Sequence, residues 1–269
     1  MVLTLDVGNT QILAGLFNEN ELVLQFRKNM KESFSSDEIG IFLKSALREN
    51  GFDPDLIEDL AICSVVPDRN HSIINGIRKY FNHDPFLLEP GVKTGLKIKY
   101  KNPHEVGSDR IANAVAAMKH HPNQNLIIVD LGTATTFCVI SKLNEYLGGV
   151  IIPGIRISME SLEKQTAKLP RVEIKSIDSS YGKTTVESIQ IGLYHGQIGM
   201  IKEISKNIIN EAFHGIKPII IGTGGFSSLF SKSELFDVVD SNLVLYGLLE
   251  TLKMNRNIDE TNTTKIENS

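Results

Sequence analysis

Two stretches of this chain, 124 residues apart, carry one pattern: residues 3–17 read LTLDVGNTQILAGLF and residues 126–141 read LIIVDLGTATTFCVIS. In each, an apolar run enters an aspartate. One apolar residue and a glycine follow, then polar, hydroxyl-bearing residues and a second apolar run. Asp6 matches Asp130 and Gly8 matches Gly132. Apolar runs on either side of a glycine turn predict two buried strands folded into a hairpin. A chain of 269 residues can form one large domain or two of about 130. A repeat offset close to half the chain selects two related halves.

The segments between the repeats alternate in type. A strand over 23–26 continues the first meander. Residues 35–50 read as a helix: Ser35 and Glu38 form a capping box, Ile39, Phe42, Leu43, Ala46 and Leu47 share one face, and Gly51 ends it. A buried strand over 60–66, a helix over 72–81 and a helix after Ser108 follow. In the second half, strands near 126–130, 136–141 and 145–152 precede a helix from about 155, a long helix over 185–212, a strand over 218–221 and a last helix over 242–253. A strand meander followed by alternating helices and strands, twice over, predicts an α/β fold. Lys119, His120, His121, Pro122 and Asn123 break the chain between the halves. The expected domains are therefore 1–120 and 121–254, followed by a polar, flexible tail over 255–269.

Charge and cysteines narrow the function. Lys and Arg number 28 against 32 Asp and Glu, a net charge of −4. That balance argues against a partner held by bulk positive charge, such as nucleic acid or a membrane surface. Cys63 in LAICSVV and Cys138 in TTFCVIS lie in apolar runs, which predicts buried thiols in a reducing compartment. The seven histidines show no zinc-binding spacing. The start, MVLTLDVGNT, has no leader pattern, and no apolar run approaches the roughly 18 residues of a membrane helix. The expectation is a soluble cytoplasmic protein.

The paired turns are the strongest candidates for chemistry. A glycine at a hairpin bend lets several backbone N–H groups face one way, and such a nest binds phosphate oxygens. An aspartate at the strand end can hold a hard cation directly or through water. Asn9 and Thr10 add donors to the first turn, and Thr133, Thr135 and Thr136 to the second. One Asp-x-Gly turn is more often an ordinary β-turn; two copies favour hairpins that clamp a polyphosphate. Other glycine motifs fall short. Gly182-Lys183-Thr184 ends like a P-loop, but Ile177 stands where its first glycine belongs. Gly222-Thr223-Gly224-Gly225 follows a strand, yet Ser227 breaks the dinucleotide fingerprint. What survives is a turn that lets backbone approach something flat or anionic, an adenosine for instance, or one that merely links strand to helix.

A third cluster is YKNPHEVGSDR over 100–110. Ser108 can cap the helix that follows, and Asp109 suits the positive end of its dipole. A carboxylate there can also accept a proton from a substrate hydroxyl, and the Arg110 guanidinium can bind a carboxylate or phosphate in bidentate fashion. Phosphoryl transfer needs little beyond positioning, charge neutralisation and one base.

Six motifs occur in order: DVGNT at 6–10, GVKTGLKIKYKNPHEVGSDR at 91–110, DLGTATT at 130–136, GGVIIPGI at 148–155, AKLPRVE at 167–173 and GKTTVESIQIG at 182–192. Across residues 2–254 the chain resembles type III pantothenate kinases of the actin-like and sugar-kinase ATPase superfamily. The resemblance implies a duplicated actin-like (ribonuclease H-like) fold, two related α/β domains around a nucleotide cleft. It implies ATP-dependent phosphorylation of the primary alcohol of pantothenate to 4′-phosphopantothenate, at the start of coenzyme A biosynthesis. Magnesium, potassium or ammonium, and a homodimer with the substrate pocket near its interface are implied as well.

Carried over residue by residue, Asp6, Val7, Gly8, Asn9, Thr10, Gln11, Ile12 and Leu13 look like the first phosphate loop, with Asp6 near magnesium, directly or through water. Asp130 looks like the potassium ligand and Thr133 like an ATP contact. Gly107, Ser108, Asp109 and Arg110 look like the substrate loop, with Asp109 the proton acceptor and Arg110 the partner of the pantothenate carboxylate. Tyr100 and Thr185 look like further substrate contacts. Two positions depart from the family pattern. Thr184 stands where Asn or Asp is usual, and Ser108 where Ala is common, a change expected not to disturb the base. Two other readings remain: an accessory factor affecting transcription with a relic kinase site, or a kinase or phosphatase of the same superfamily with another acceptor. Retention of both Asp turns and of the 107–110 segment favours the working kinase.

Overall fold

The computed structural model describes residues 1–30 and 33–266, with side chains described through residue 256. The chain forms β1 (Val2–Val7), β2 (Gln11–Asn18), β3 (Glu21–Asn29), α1 (Ser36–Glu49), β4 (Asp59–Ser64), α2 (Pro67–Phe81) and β5 (Phe86–Leu87). Next come β6 (Lys97–Ile98), α3 (Ser108–His120), β7 (Leu126–Leu131), β8 (Ala134–Ser141) and β9 (Glu145–Pro153). The chain ends with α4 (Ile155–Gln165), α5 (Thr185–Phe213), β10 (Ile219–Thr223), β11 (Val238–Val239) and α6 (Leu243–Ile266).

These elements pack as two compact units. One holds Met1–Leu96, Asn102–Ala116 and the chain from Leu243 onward; the other holds Lys97–Lys101 and Ala117–Asn242. The division differs from 1–120 and 121–254 chiefly at α6, which joins the first unit. Leu245, Leu248, Leu249 and Leu252 of α6 are buried with Phe17, Ala61 and Cys63 of that unit's sheet. Burying each such leucine contributes about 1.5–3 kcal/mol, which ties α6 to that unit. The polar tail also starts later than 255. Asn255 Nδ2 donates to the Lys93 carbonyl at 2.9 Å, and Arg256 pairs with Asp59 through two bonds of 2.8 and 3.0 Å. The side chains from residue 257 lie outside the described residues, and with them the expectation of flexibility.

The first unit's sheet has the order β3-β2-β1-β4-β5. β1 pairs antiparallel with β2 and parallel with β4. Because strand side chains alternate faces, Leu3, Leu5, Val7, Ile12, Ala14 and Leu16 share one core with Ile39, Leu43 and Leu47 of α1 and Ile73 and Ile77 of α2. Leu13, Phe17, Ala61 and Cys63 belong to the opposite face, with Ala112 of α3 and the α6 leucines. The capping box of α1 forms as read from sequence, Ser35 Oγ accepting from Glu38 N–H at 3.2 Å and Glu38 Oε2 from Ser35 N–H at 2.7 Å. α2 begins at Pro67 rather than at 72, since proline suits the first helical position, where no N–H is needed.

The second unit's sheet has the order β11-β10-β7-β8-β9-β6. Apart from β6 at one edge, it repeats the first: a three-strand antiparallel meander with two parallel strands beside its first strand. Asp6 pairs across the hairpin with Leu13, and Asp130 with Thr136. Three residues further on, each meander has a register shift, between Leu16 and Phe17 in one and between Val139 and Ile140 in the other. The duplication therefore extends to the irregularities of the two sheets. Buried Ile127, Val129, Leu131, Phe137 and Val139 pack with Tyr194 and Ile201 of α5.

Candidate functional site

In the first unit, alternation along β1 puts Asp6 on the face opposite Leu5 and Val7, the face shared by α3 and α6. Its neighbour on the parallel strand β4 is Cys63, whose thiol donates to Asp6 Oδ1 at 3.3 Å. Cys63 is a free, buried thiol. Burial, reinforced by the charges of Asp6 and Asp109, holds its pKa well above the ordinary thiol value, so it remains a neutral donor. The turn itself closes through Gly8 N–H to the Gln11 carbonyl at 3.0 Å. That glycine N–H is therefore already engaged within the turn, and Asn9 and Thr10 stand at its exposed tip. Val7, Ile12 and Leu13 bury their side chains and can offer a ligand only main-chain groups.

Asp109 enters the same neighbourhood from α3. The helix starts on the Gly107 carbonyl, which accepts from Ile111 N–H at 3.1 Å. Ser108 does not cap it as expected: its hydroxyl accepts from Ser64 N–H and donates to the Ser64 carbonyl, both at 3.1 Å. Asp109 Oδ1 accepts from Arg110 N–H at 2.8 Å. Burial raises the Asp109 pKa above its ordinary value, partly offset by that bond and by the Arg110 charge. Arg110 is itself buried. The result is a carboxylate that gains a proton more readily than an exposed aspartate, at the head of a helix and near a second carboxylate.

In the second unit, Gly132 N–H closes the turn to the Ala134 carbonyl at 3.1 Å, one residue tighter than the first. Thr133 stands exposed at its tip. Thr135, expected among the donors, faces α5 instead, where Gln197 Nε2 donates to its hydroxyl at 2.8 Å; both residues are buried. Alternation gives the reason, since 135, 137 and 139 share the α5 face while Asp130 and Thr136 share the other. Gly154, at the head of α4, lies against the turn so closely that a Cβ there would collide with the Thr133 carbonyl oxygen.

The glycine turn at 222–225 also finds its role. Gly224 has φ +86°, and a Cβ on it would collide with the Asp130 carboxylate. The anionic group that this backbone approaches is the protein's own Asp130. Tyr100 packs edge-on to Tyr146 with ring centroids 6.2 Å apart, and the buried Tyr146 hydroxyl donates to Cys138 Sγ at 3.4 Å. Thr185 is the exposed first residue of α5. Tyr100, Asp130, Thr133 and Thr185 thus belong to one unit, and Asp6 and the 107–110 loop to the other.

Among the described residues, no group of three or more His, Cys, Asp or Glu comes together to hold a metal ion. A nucleotide-associated cation needs less, because one or two carboxylates complete its shell with phosphate oxygens and water. Single aspartates at strand ends fit that donor set. No helix among the described residues is long and apolar enough to cross a membrane.

The family profile described as type III pantothenate kinase matches residues 2–207. The chain belongs to this family. A type III pantothenate kinase of Legionella pneumophila (strain Corby) is 54% identical over 255 residues, 95% of this chain and 99% of the relative. Among solved structures, a Campylobacter jejuni protein described as a Baf family transcriptional activator superposes with TM-score 0.60 at 21% identity, over 95% of this chain and 99% of that one. A Sinorhizobium meliloti protein described as a 2-dehydro-3-deoxygalactonokinase gives 0.61 at 12%, over 94% and 96%. At such identities the likeness speaks for the fold alone, the duplicated actin-like α/β ATPase fold.

For a type III pantothenate kinase, the two departures from the family pattern become intelligible. Thr184 is the N-cap of α5, its hydroxyl accepting from Glu187 N–H at 3.2 Å. Asn, Asp and Thr are all N-cap residues, so the change keeps the helix start that presents Thr185. Ser108 makes two bonds to β4 that an alanine could not. Sequence reasoning missed Cys63 as the neighbour of Asp6. The signal was available in the paired apolar runs of β1 and β4, but only the parallel register brings the two residues side by side.

Proposed function

We propose that this chain transfers the γ-phosphoryl group of ATP to the primary hydroxyl of pantothenate, giving 4′-phosphopantothenate and ADP at the start of coenzyme A biosynthesis in the cytoplasm. Family membership over nearly the full chain carries the reading, and the buried Asp109 at the head of α3 supports its chemistry. Asp109 accepts the hydroxyl proton as the oxygen attacks phosphorus; the bond to the β-phosphate oxygen breaks and ADP leaves. Residues 6–13 and Thr133 bind ATP. Tyr100, Arg110, Thr185 and the main chain of Gly107 and Ser108 hold pantothenate, with Arg110 opposite its carboxylate. Magnesium near Asp6 and potassium or ammonium at Asp130 neutralise phosphate charge when bound. A coupled assay of ADP release with pantothenate, against sugars, acetate and polyphosphate, tests the reading. Turnover confined to one of the other acceptors would sink it. Exchanging potassium for sodium should remove most of the turnover; undiminished turnover in sodium would end the role of Asp130.

The active form is a homodimer in this proposal. Thr185, Gly192, Gly196 and Gly199 recur on one face of α5. A Cβ on any of the three glycines would meet nothing within 4 Å. Each glycine inside a helix costs about 1 kcal/mol relative to alanine, so three on one open face support the reading that a second copy approaches closely there. Light scattering should find wild type dimeric and Gly196→Leu monomeric. A dimeric Gly196→Leu would place the interface elsewhere.

A further inference from the structure

We propose that Cys63 and Ser108 are positioning residues: through the last two residues of β4 they fix the carboxylates of Asp6 and Asp109 in one register. The proposal rests on the roles given above to Asp6 and Asp109 and concerns how the fold holds them. The two aspartates come from distant parts of the sequence, one from the end of β1 and the other from the first turn of α3. What links them is β4. Its register with β1 puts Cys63 beside Asp6 and Ser64 beside Val7. The Cys63 thiol holds Asp6 Oδ1 at 3.3 Å. The next residue, Ser64, is clasped by the Ser108 hydroxyl, which satisfies its N–H and its carbonyl together at 3.1 Å each.

Ser108 immediately precedes Asp109, so the start of α3 cannot slide along β4 without breaking both bonds. Nor can the Asp6 carboxylate rotate away without losing its thiol donor. Both side chains act at one remove from the reacting atoms. Cys63 is buried behind Asp6, and the Ser108 hydroxyl is occupied by main chain. Each therefore sets where a carboxylate stands without supplying chemistry. Sub-ångström placement of a proton acceptor and of a phosphate-side carboxylate is where such supports matter, since a misplacement of about 1 Å can cost on the order of 10²-fold in rate.

Steady-state kinetics of the full chain with ATP and pantothenate, well below the melting temperature of each variant, test the proposal. Cys63→Ala should lower kcat at least about tenfold, and Ser108→Ala, alanine being common at this position in the family, by a smaller but measurable factor, with KM for pantothenate nearly unchanged in both. Cys63→Ser, which keeps a donor, and Ser108→Thr, which keeps the hydroxyl, should recover much of the loss. Calorimetric titration of ATP with and without magnesium gives a second readout. Cys63→Ala should reduce the gain in affinity that magnesium provides, and Cys63→Ser should restore it. Equal losses in Cys63→Ala and Cys63→Ser, or losses that merely follow melting temperature, would overturn the proposal in favour of simple packing. Asp109→Asn run alongside separates the levels. If it is inactive while both alanine variants turn over like wild type, positioning by β4 is wrong and the base assignment stands. If Asp109→Asn is itself active, the base assignment fails and takes the proposal with it.

Discussion

Asp109→Asn is expected to lose roughly 10²- to 10⁴-fold in kcat while retaining the fold and ATP binding. Asparagine keeps the shape of the side chain and can still accept from Arg110 N–H, so the geometry of the α3 start survives; what disappears is the acceptor for the hydroxyl proton. The pH dependence gives a second check. Burial raises the Asp109 pKa above its ordinary value, so the acid limb of kcat/KM should lie above that of an ordinary aspartate, with rate falling as pH drops through it. The residual activity of Asp109→Asn should lack that limb. Stability moves the other way. A carboxyl whose pKa is higher folded than unfolded binds more protons in the folded state, so its contribution weakens as pH rises through the unfolded and then the folded value. At neutral pH the charged Asp109 is thus a burden on the fold, and Asp109→Asn should melt at or above the wild-type temperature. Near-wild-type turnover would refute the assignment, and a markedly lowered melting temperature would show that the carboxylate has a structural role.

The repeated Asp turn made the duplicated α/β architecture readable, because a buried strand, a glycine turn and a second buried strand leave the same mark wherever they occur. Helices with strong local signals were equally legible: the Ser35–Glu38 capping box marks α1 in the sequence as clearly as in the structure. The two-residue strands β5, β6 and β11 left no such mark, since two residues carry no period. α6 was located as a helix, but its membership of the first unit depends on which face its leucines find, a tertiary fact. The site divides in the same way. Asp6, Asp109 and Asp130 stood out by their motifs. Cys63, Gln197 and Gly154 did not, because their relation to the motifs is a matter of strand register and close approach. Thr135 has the chemistry of a turn donor, but strand alternation assigns it to the α5 face, where it meets Gln197.

Gly247→Ala tests the close approach that supports the head of α3. Gly247 lies in α6 where a Cβ would land on the carbonyl oxygen of Ala112, a fully buried residue in the first turns of α3. Two effects compete. Alanine is favoured over glycine within a helix by about 1 kcal/mol. Against this stands an overlap with main chain, which cannot rotate aside as a side-chain tip could; such overpacking typically costs 1–3 kcal/mol and occasionally more, by about the scale seen for buried insertions. The overlap should win because α6 is also fixed by Leu245, Leu248, Leu249 and Leu252 in the core of the first unit and cannot retreat without unpacking them. For a protein of this size each kcal/mol shifts the melting temperature by about 2–4 °C, so a fall of several degrees is expected. Activity should fall further than stability. If α6 holds its place, α3 must move instead, and Asp109 lies one helical turn from Ala112. A kcat reduced well below the melting transition would show that the α3–α6 contact positions the base. An unchanged melting temperature would show that the two helices are not as close as Gly247 allows.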